Sequence, residues 1–88
     1  MATKLHLEIS TPEKPILKES VDEVVIPALR GELGVLPGHT TLLTTLGEGV
    51  LMLTSEGIAR SMEISGGIAE ICNDQVTILA DHVREKSS

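Results

Sequence analysis

Apolar and polar residues alternate along most of the chain with a period of two, which is the pattern of β-strands that bury one face. Leu5, Leu7 and Ile9 alternate with polar neighbours and predict the first strand. The β-branched residues at 24–26 predict another, and Pro27 indicates that it ends there or lies at a sheet edge. Further strands are predicted at 16–19, 40–46, 50–54, 58–64, 68–72 and 75–80.

Turn-forming residues interrupt this pattern about every eight to twelve residues. Gly66 and Gly67 predict a break between two of the strands, and Asn73 with Asp74 predicts a tight turn. No window shows the helical spacing of i, i+3, i+4 and i+7 over more than two turns. The sequence therefore predicts an all-β sandwich or barrel that is monomeric in isolation.

Residues 31–46, GELGVLPGHTTLLTTL, combine strand formers with loop chemistry. Glu32 and His39 are the only ionisable side chains in this stretch, and we expect both to point outward. A polar loop held on rigid strands is a common place for contacts with partners. Glycines that accept a positive φ and a proline with a fixed φ predict two sharp turns here, at Gly31, Gly34, Pro37 and Gly38.

The 88 residues fit one domain, which we place at residues 1–81, followed by a polar tail at 82–88 that is expected to fray. Since the chain has no Phe, Tyr or Trp, its core must be built from Leu, Ile, Val and Met. The net charge of −6 and the missing aromatic rings argue against a nucleic-acid partner, because such surfaces are basic and stack bases on aromatic side chains.

No motif predicts a catalytic residue, a metal site or a cofactor. Cys72 is the only cysteine, so it forms no internal disulfide, and its place at the end of an apolar strand predicts a small buried side chain in a reducing compartment. His6, His39 and His82 lie far apart without the spacing of metal ligands. No glycine–lysine pair supports a phosphate-binding loop, and no apolar run is long enough to span a membrane, so we expect a soluble protein.

Three segments of the chain are similar to one family. They read LHLEISTPEK at 5–14, GELGVLPGHTTLLTTLGEGVL at 31–51 and SGGIAEICNDQVTILAD at 65–81. In order and spacing they resemble the epsilon subunit of bacterial F-type ATP synthases. The resemblance implies a flattened sandwich or barrel of ten strands in two antiparallel sheets. The family usually adds a C-terminal helical hairpin that this sequence does not show, so the likeness is to a short form or to an isolated domain.

The resemblance also implies a non-catalytic rotor subunit that binds the gamma subunit and the c-ring and couples proton-driven rotation to ATP synthesis. Contact with the alpha and beta subunits would be indirect, and the location would be the cytoplasmic face of the bacterial inner membrane. By match to the motif, Glu32, Gly38 and His39 would lie on the loop that meets the ring. An alternative is a free-standing β-sandwich that binds a small ligand or carbohydrate, although sugar sites usually depend on the aromatic side chains missing here.

Overall fold

A computed structural model describes residues 4–85 of the chain. None of the described elements is a helix long and apolar enough to cross a membrane. Eight strands account for the architecture: β1 (Leu5–Ser10), β2 (Pro15–Val21), β3 (Glu23–Ala28), β4 (Gly31–Val35), β5 (Leu42–Thr45), β6 (Glu48–Ser55), β7 (Ile58–Cys72) and β8 (Gln75–Glu85). The prediction of an all-β domain is confirmed.

The strands form a single mixed sheet in the order β2-β1-β8-β7-β6-β3-β4, and β5 pairs with β7 beside this path. The β1–β8 pair is parallel, and the other strand pairs are antiparallel. The expectation of ten strands in two antiparallel sheets is therefore wrong. The sheet folds over on itself, since β2 contacts β6 although three strands separate them in the sheet order.

Two long strands differ from the strands that the sequence predicts at 58–64, 68–72 and 75–80. The first half of β7 pairs with β6 and its second half with β5, while β8 pairs along both halves. The predicted break at Gly66 and Gly67 lies inside β7 and does not end it. Strand β8 continues to Glu85, which pairs with Met62. Residues 82–85 are therefore part of a strand, and the expectation that they fray is wrong. The rest of the predicted tail, 86–88, lies outside the described residues.

The side of β7 that faces the core changes at these two glycines. Before them Met62 and Ile64 are buried, and after them Ala69 and Ile71 are buried, so the buried positions change from even to odd numbers. Simple alternation in a strand would bury one parity throughout. Gly66 and Gly67 have φ values of 70° and 114°, in the left-handed region that side chains disfavour. They let the strand turn over without losing its neighbours.

The core is aliphatic, as the composition requires. Every fully buried side chain among residues 4–85 is apolar, with contributions from all strands except β5. Leu46, between β5 and β6, is also buried. Cys72 is only partly buried, so the prediction of a small buried cysteine is wrong. Its place at the last residue of β7, next to the turn, leaves one side open.

Asp22, between β2 and β3, joins three parts of the chain near the start of β1. Its carboxylate accepts a hydrogen bond from Lys4 Nζ at 2.8 Å and another from the backbone N–H of Glu56 at 2.7 Å. These bonds lower the pKa of Asp22 below its ordinary value of 3.8, the Lys4 bond being the larger cause. The same contact raises the pKa of Lys4 above 10.5, so both groups are charged at neutral pH.

Candidate functional site

The structure separates the two ionisable residues that the sequence placed in one loop. Glu32 is the second residue of β4 and pairs with Pro27, next to the β3–β4 hairpin turn. His39 follows the other end of β4, in the loop that leads to β5. Since a strand rises by about 3.3 Å per residue, β4 holds the two at opposite ends. The outward orientation holds for Glu32, which is exposed, whereas His39 is half-buried.

The β3–β4 hairpin presents side chains that the sequence did not single out. Leu29 and Arg30 form its turn, and both are exposed, Leu29 by 67%. Gly31 follows with φ 130°, a value that glycine adopts without steric cost and that other residues disfavour. A single exposed apolar side chain is common on protein surfaces, so Leu29 does not by itself mark a contact surface.

The loop after β4 is built around the predicted Pro37–Gly38 turn. The backbone N–H of His39 donates to the carbonyl of Leu36 at 3.1 Å and closes the turn, and Gly38 has φ 89°. Gly34 was predicted as a turn residue, and this prediction is wrong. It lies inside β4 opposite Val25 and is absent from the glycines with positive φ.

The His39 ring has a defined hydrogen-bonding role within this turn. Its Nδ1 lies 2.8 Å from the backbone carbonyl oxygen of Thr40. Because a carbonyl can only accept, Nδ1 carries the proton, which leaves Nε2 of the neutral ring as an acceptor. The Glu32 carboxylate is likewise an acceptor, so both residues suit a partner that offers N–H or O–H donors.

Asp74, in the β7–β8 turn, holds the same loop from the other side. Its Oδ1 accepts a hydrogen bond from the backbone N–H of Gly38 at 2.7 Å, across a sequence separation of 36 residues. Its own carbonyl accepts from the backbone N–H of His6 at 2.8 Å. The sequence predicted only a tight turn at this place, because the pairing depends on contacts distant in the chain.

A second exposed surface lies on the outer side of strands β5, β7 and β8. Ile68 pairs directly with Leu79, and Leu43 lies on the same face of the neighbouring strand. Their side chains are exposed by 44%, 48% and 66%, respectively. We call these three residues the β5–β7–β8 face. Three adjacent apolar side chains open to solvent indicate a protein contact more readily than isolated ones do.

Both apolar and polar side chains line an open groove across β6, β7 and β8, and most of the polar ones contact one another. Ser65 Oγ donates to Glu48 at 3.3 Å, and Arg84 Nε lies 3.4 Å from a Glu63 carboxylate oxygen. His82 lies beside them, opposite Ser65. Within residues 4–85 no group of three His, Cys, Asp or Glu side chains could hold a metal ion.

Comparison with known protein families shows to which family the chain belongs. The model of the ATP synthase Delta/Epsilon chain, beta-sandwich domain, matches residues 4–86. The chain belongs to this family. The resemblance seen in the sequence is thereby confirmed.

Individual members of the family match along most of the chain. The ATP synthase epsilon chain of Syntrophobacter fumaroxidans is 49% identical over 85 residues, which cover 97% of this chain and 63% of that protein. The ATP synthase epsilon chain of Solibacter usitatus is 46% identical over 81 residues, or 92% of this chain and 60% of that protein. The chain thus spans about three-fifths of the length of these family members.

Solved structures of ATP synthases contain chains with the same fold. A chain in the Euglena gracilis mitochondrial ATP synthase, OSCP/F1/c-ring, superposes with a TM-score of 0.91 at 28% identity, covering 97% of this chain and 55% of that one. A chain of the Tetrahymena thermophila mitochondrial ATP synthase central stalk and c-ring gives a TM-score of 0.78 at 15% identity, covering 93% of this chain and 66% of that one. The second likeness shows the fold alone.

Proposed function

We propose that this epsilon-family domain is a non-catalytic component of an ATP synthase rotor, which links the gamma subunit to the c-ring. The observation that carries the proposal is the family match over residues 4–86, together with the likeness to a chain in an F1/c-ring assembly. In this role the domain transmits the rotation that protons drive in the ring. It needs no cofactor, and it reaches the alpha and beta subunits only through gamma.

Two sets of residues suit the two partners. The β5–β7–β8 face is apolar and lies on regular strands, as the centre of a lasting protein interface requires. We assign it to gamma. Glu32 and His39 carry polar side chains at the two ends of β4, and Gly38 shapes the turn before His39, so we assign these three residues to the polar loops of the ring, in line with the family motif. Through the ring the domain is peripheral to the cytoplasmic face of the bacterial inner membrane.

Capture from solubilised membranes tests the proposal. The immobilised chain is expected to recover gamma from the F1 that low-salt buffer releases from bacterial membranes, and c subunits from the stripped membranes after detergent solubilisation. Leu79→Glu should reduce the recovery of gamma at least about tenfold, or roughly 1.4 kcal/mol, because it places a charge in the apolar face. Met52→Glu is the matched control, since Met52 is a similarly exposed apolar residue, at 42%, outside the β5–β7–β8 face.

Equal loss of gamma with both variants would remove the assignment of the face to gamma. Recovery of neither gamma nor c subunits by the parent chain would contradict the rotor proposal and favour the free-standing ligand-binding sandwich. The groove of Glu48, Glu63 and Arg84 would then be the place to search for a ligand.

Replacing both Glu32 and His39 with alanine is expected to weaken seating on the ring only modestly. A polar contact at the solvated rim of an interface contributes about 0.2 to 1 kcal/mol, and salt screens the charged part. Assembly and proton-coupled ATP synthesis in reconstituted vesicles at low and high salt measure this effect. Gly38→Val should impair assembly and ATP synthesis more strongly than the double alanine variant does, because a branched side chain is strained at φ 89°. Parental assembly and coupling in all of these variants would show that neither end of β4 seats the ring.

A further inference from the structure

The turn that carries His39 has one hydrogen bond to a distant part of the described chain. Among residues 37–40, the bond from His39 N–H to Leu36 and the contact of His39 Nδ1 with Thr40 are local. The bond from Gly38 N–H to the Asp74 carboxylate is the one that reaches another element. The shape of the turn therefore depends on a side chain of the β7–β8 connection.

The β7–β8 connection does not itself need a carboxylate. Asn73 and Asp74 have φ values of 51° and 63°, as in a two-residue hairpin turn whose two central residues are left-handed. Asparagine or glycine adopts these values as well as aspartate does, so turn chemistry leaves the side chain at 74 free for another task. Its contact with Gly38, at 2.7 Å, has the length of a hydrogen bond to a charged acceptor.

The backbone of Asp74 is hydrogen-bonded to strand β1. The carbonyl of Asp74 accepts from His6 N–H at 2.8 Å, and this bond fixes the β7–β8 turn against β1 in the body of the sheet. One residue thus connects the sheet, through its backbone, with the Gly38 turn, through its carboxylate. Because the His39 ring bonds within that turn, its position follows the backbone of residues 38–40.

We propose that Asp74 is a positioning residue that fixes the Gly38 turn and thereby the direction in which the His39 ring points Nε2. The use of this geometry for seating the c-ring rests on the proposed function. The contact and its effect on His39 do not depend on that function, and they are tested in the isolated chain.

Three variants distinguish the effect of the carboxylate from the effect of the turn backbone: Asp74→Gly, Asp74→Asn and Asn73→Gly. Glycine at 74 keeps the left-handed backbone and removes the acceptor, whereas asparagine keeps both the backbone and a side-chain oxygen. Asn73→Gly makes the same backbone change at the neighbouring position, whose side chain has no hydrogen bond to the loop among those described. The three full-length variants are compared with the parent by nuclear magnetic resonance.

Asp74→Gly is expected to raise the hydrogen-exchange rate of the Gly38 amide at least about tenfold. It should also move the chemical shifts of the His39 ring nitrogens toward those of a free imidazole, in which both tautomers are populated. Asp74→Asn should restore most of both signals, and Asn73→Gly should leave both at the parental values. Equal Gly38 exchange in Asp74→Gly and Asn73→Gly would overturn the proposed contact. Faster Gly38 exchange without a change in the His39 ring would overturn the positioning role.

Binding to detergent-purified c-ring gives the functional readout. Asp74→Gly should bind the ring several-fold more weakly than Asn73→Gly, with Asp74→Asn close to the parent. Unchanged binding by Asp74→Gly would contradict the use of this geometry at the ring. Failure of the parent to bind would instead reject the ring-seating function, while the resonance measurements would still decide the role of Asp74.

Discussion

Gly67→Ala is expected to unfold the domain or to lower its free energy of unfolding by at least about 4 kcal/mol. A Cβ at this position would overlap the Leu79 carbonyl oxygen and lie 2.8 Å from Ala80 Cα, both of them backbone atoms of the paired strand. The φ of 114° adds a second cost, because side chains disfavour it. Proteins have only about 5 to 15 kcal/mol in total, so a loss of this size removes about a quarter of the stability or more.

Urea unfolding followed by circular dichroism measures the loss, and two glycines provide controls. Gly57→Ala introduces a Cβ at φ 81° with no atom within 4 Å, so it isolates the backbone cost of about 1 to 3 kcal/mol. Gly34→Ala has open space and no positive φ, and should change stability by less than about 0.5 kcal/mol. If Gly67→Ala proved no worse than Gly57→Ala, the strands would not need the close approach at Gly67.

The elements that depend on short-range patterns were predictable. The alternation at Leu5, Leu7 and Ile9 specifies a strand and its buried face without knowledge of its partners. The Pro37–Gly38 turn is equally local, since proline and glycine impose it wherever the segment lies. The family resemblance then supplied the function class, which local patterns in this chain do not specify.

The bounds of the strands could not be read from the same patterns. Two adjacent glycines between apolar runs look alike whether they end a strand or let it turn over. Strand β7 continues through Gly66 and Gly67 because β5, β6 and β8 pair with it on both sides of the glycines. Gly34 is the converse case, because pairing of β4 with β3 keeps it extended.

The candidate site was predictable to the same extent. The loop with Gly38 and His39 was found from its own residues, whereas its anchor, Asp74, lies far along the chain. Glu32 was grouped with His39 because the glycines at 31 and 34 suggested one continuous loop, and β4 separates the two. The β5–β7–β8 face depends on which strands are neighbours, so it became visible only with the sheet order.

Ile78→Ala is expected to lower the free energy of unfolding by about 2 to 5 kcal/mol, since the side chain of Ile78 is 0% exposed. Ile68→Ala is the matched control, because it removes the same atoms from a side chain that is 44% exposed. It should cost no more than about 1 kcal/mol, and Leu79→Ala, next to Ile78 on the opposite face of β8, should behave likewise.

Urea unfolding and gamma capture together distinguish the two sides of the sheet. Ile78→Ala should lose stability and, at temperatures where it remains folded, retain the parental affinity for gamma. Ile68→Ala should show the reverse, near-parental stability with weaker capture, because its exposed side chain belongs to the face assigned to gamma. A loss of several kcal/mol in Ile68→Ala would mean that this side chain is covered within the isolated domain. The β5–β7–β8 face would then be part of the core and not a surface available to a partner.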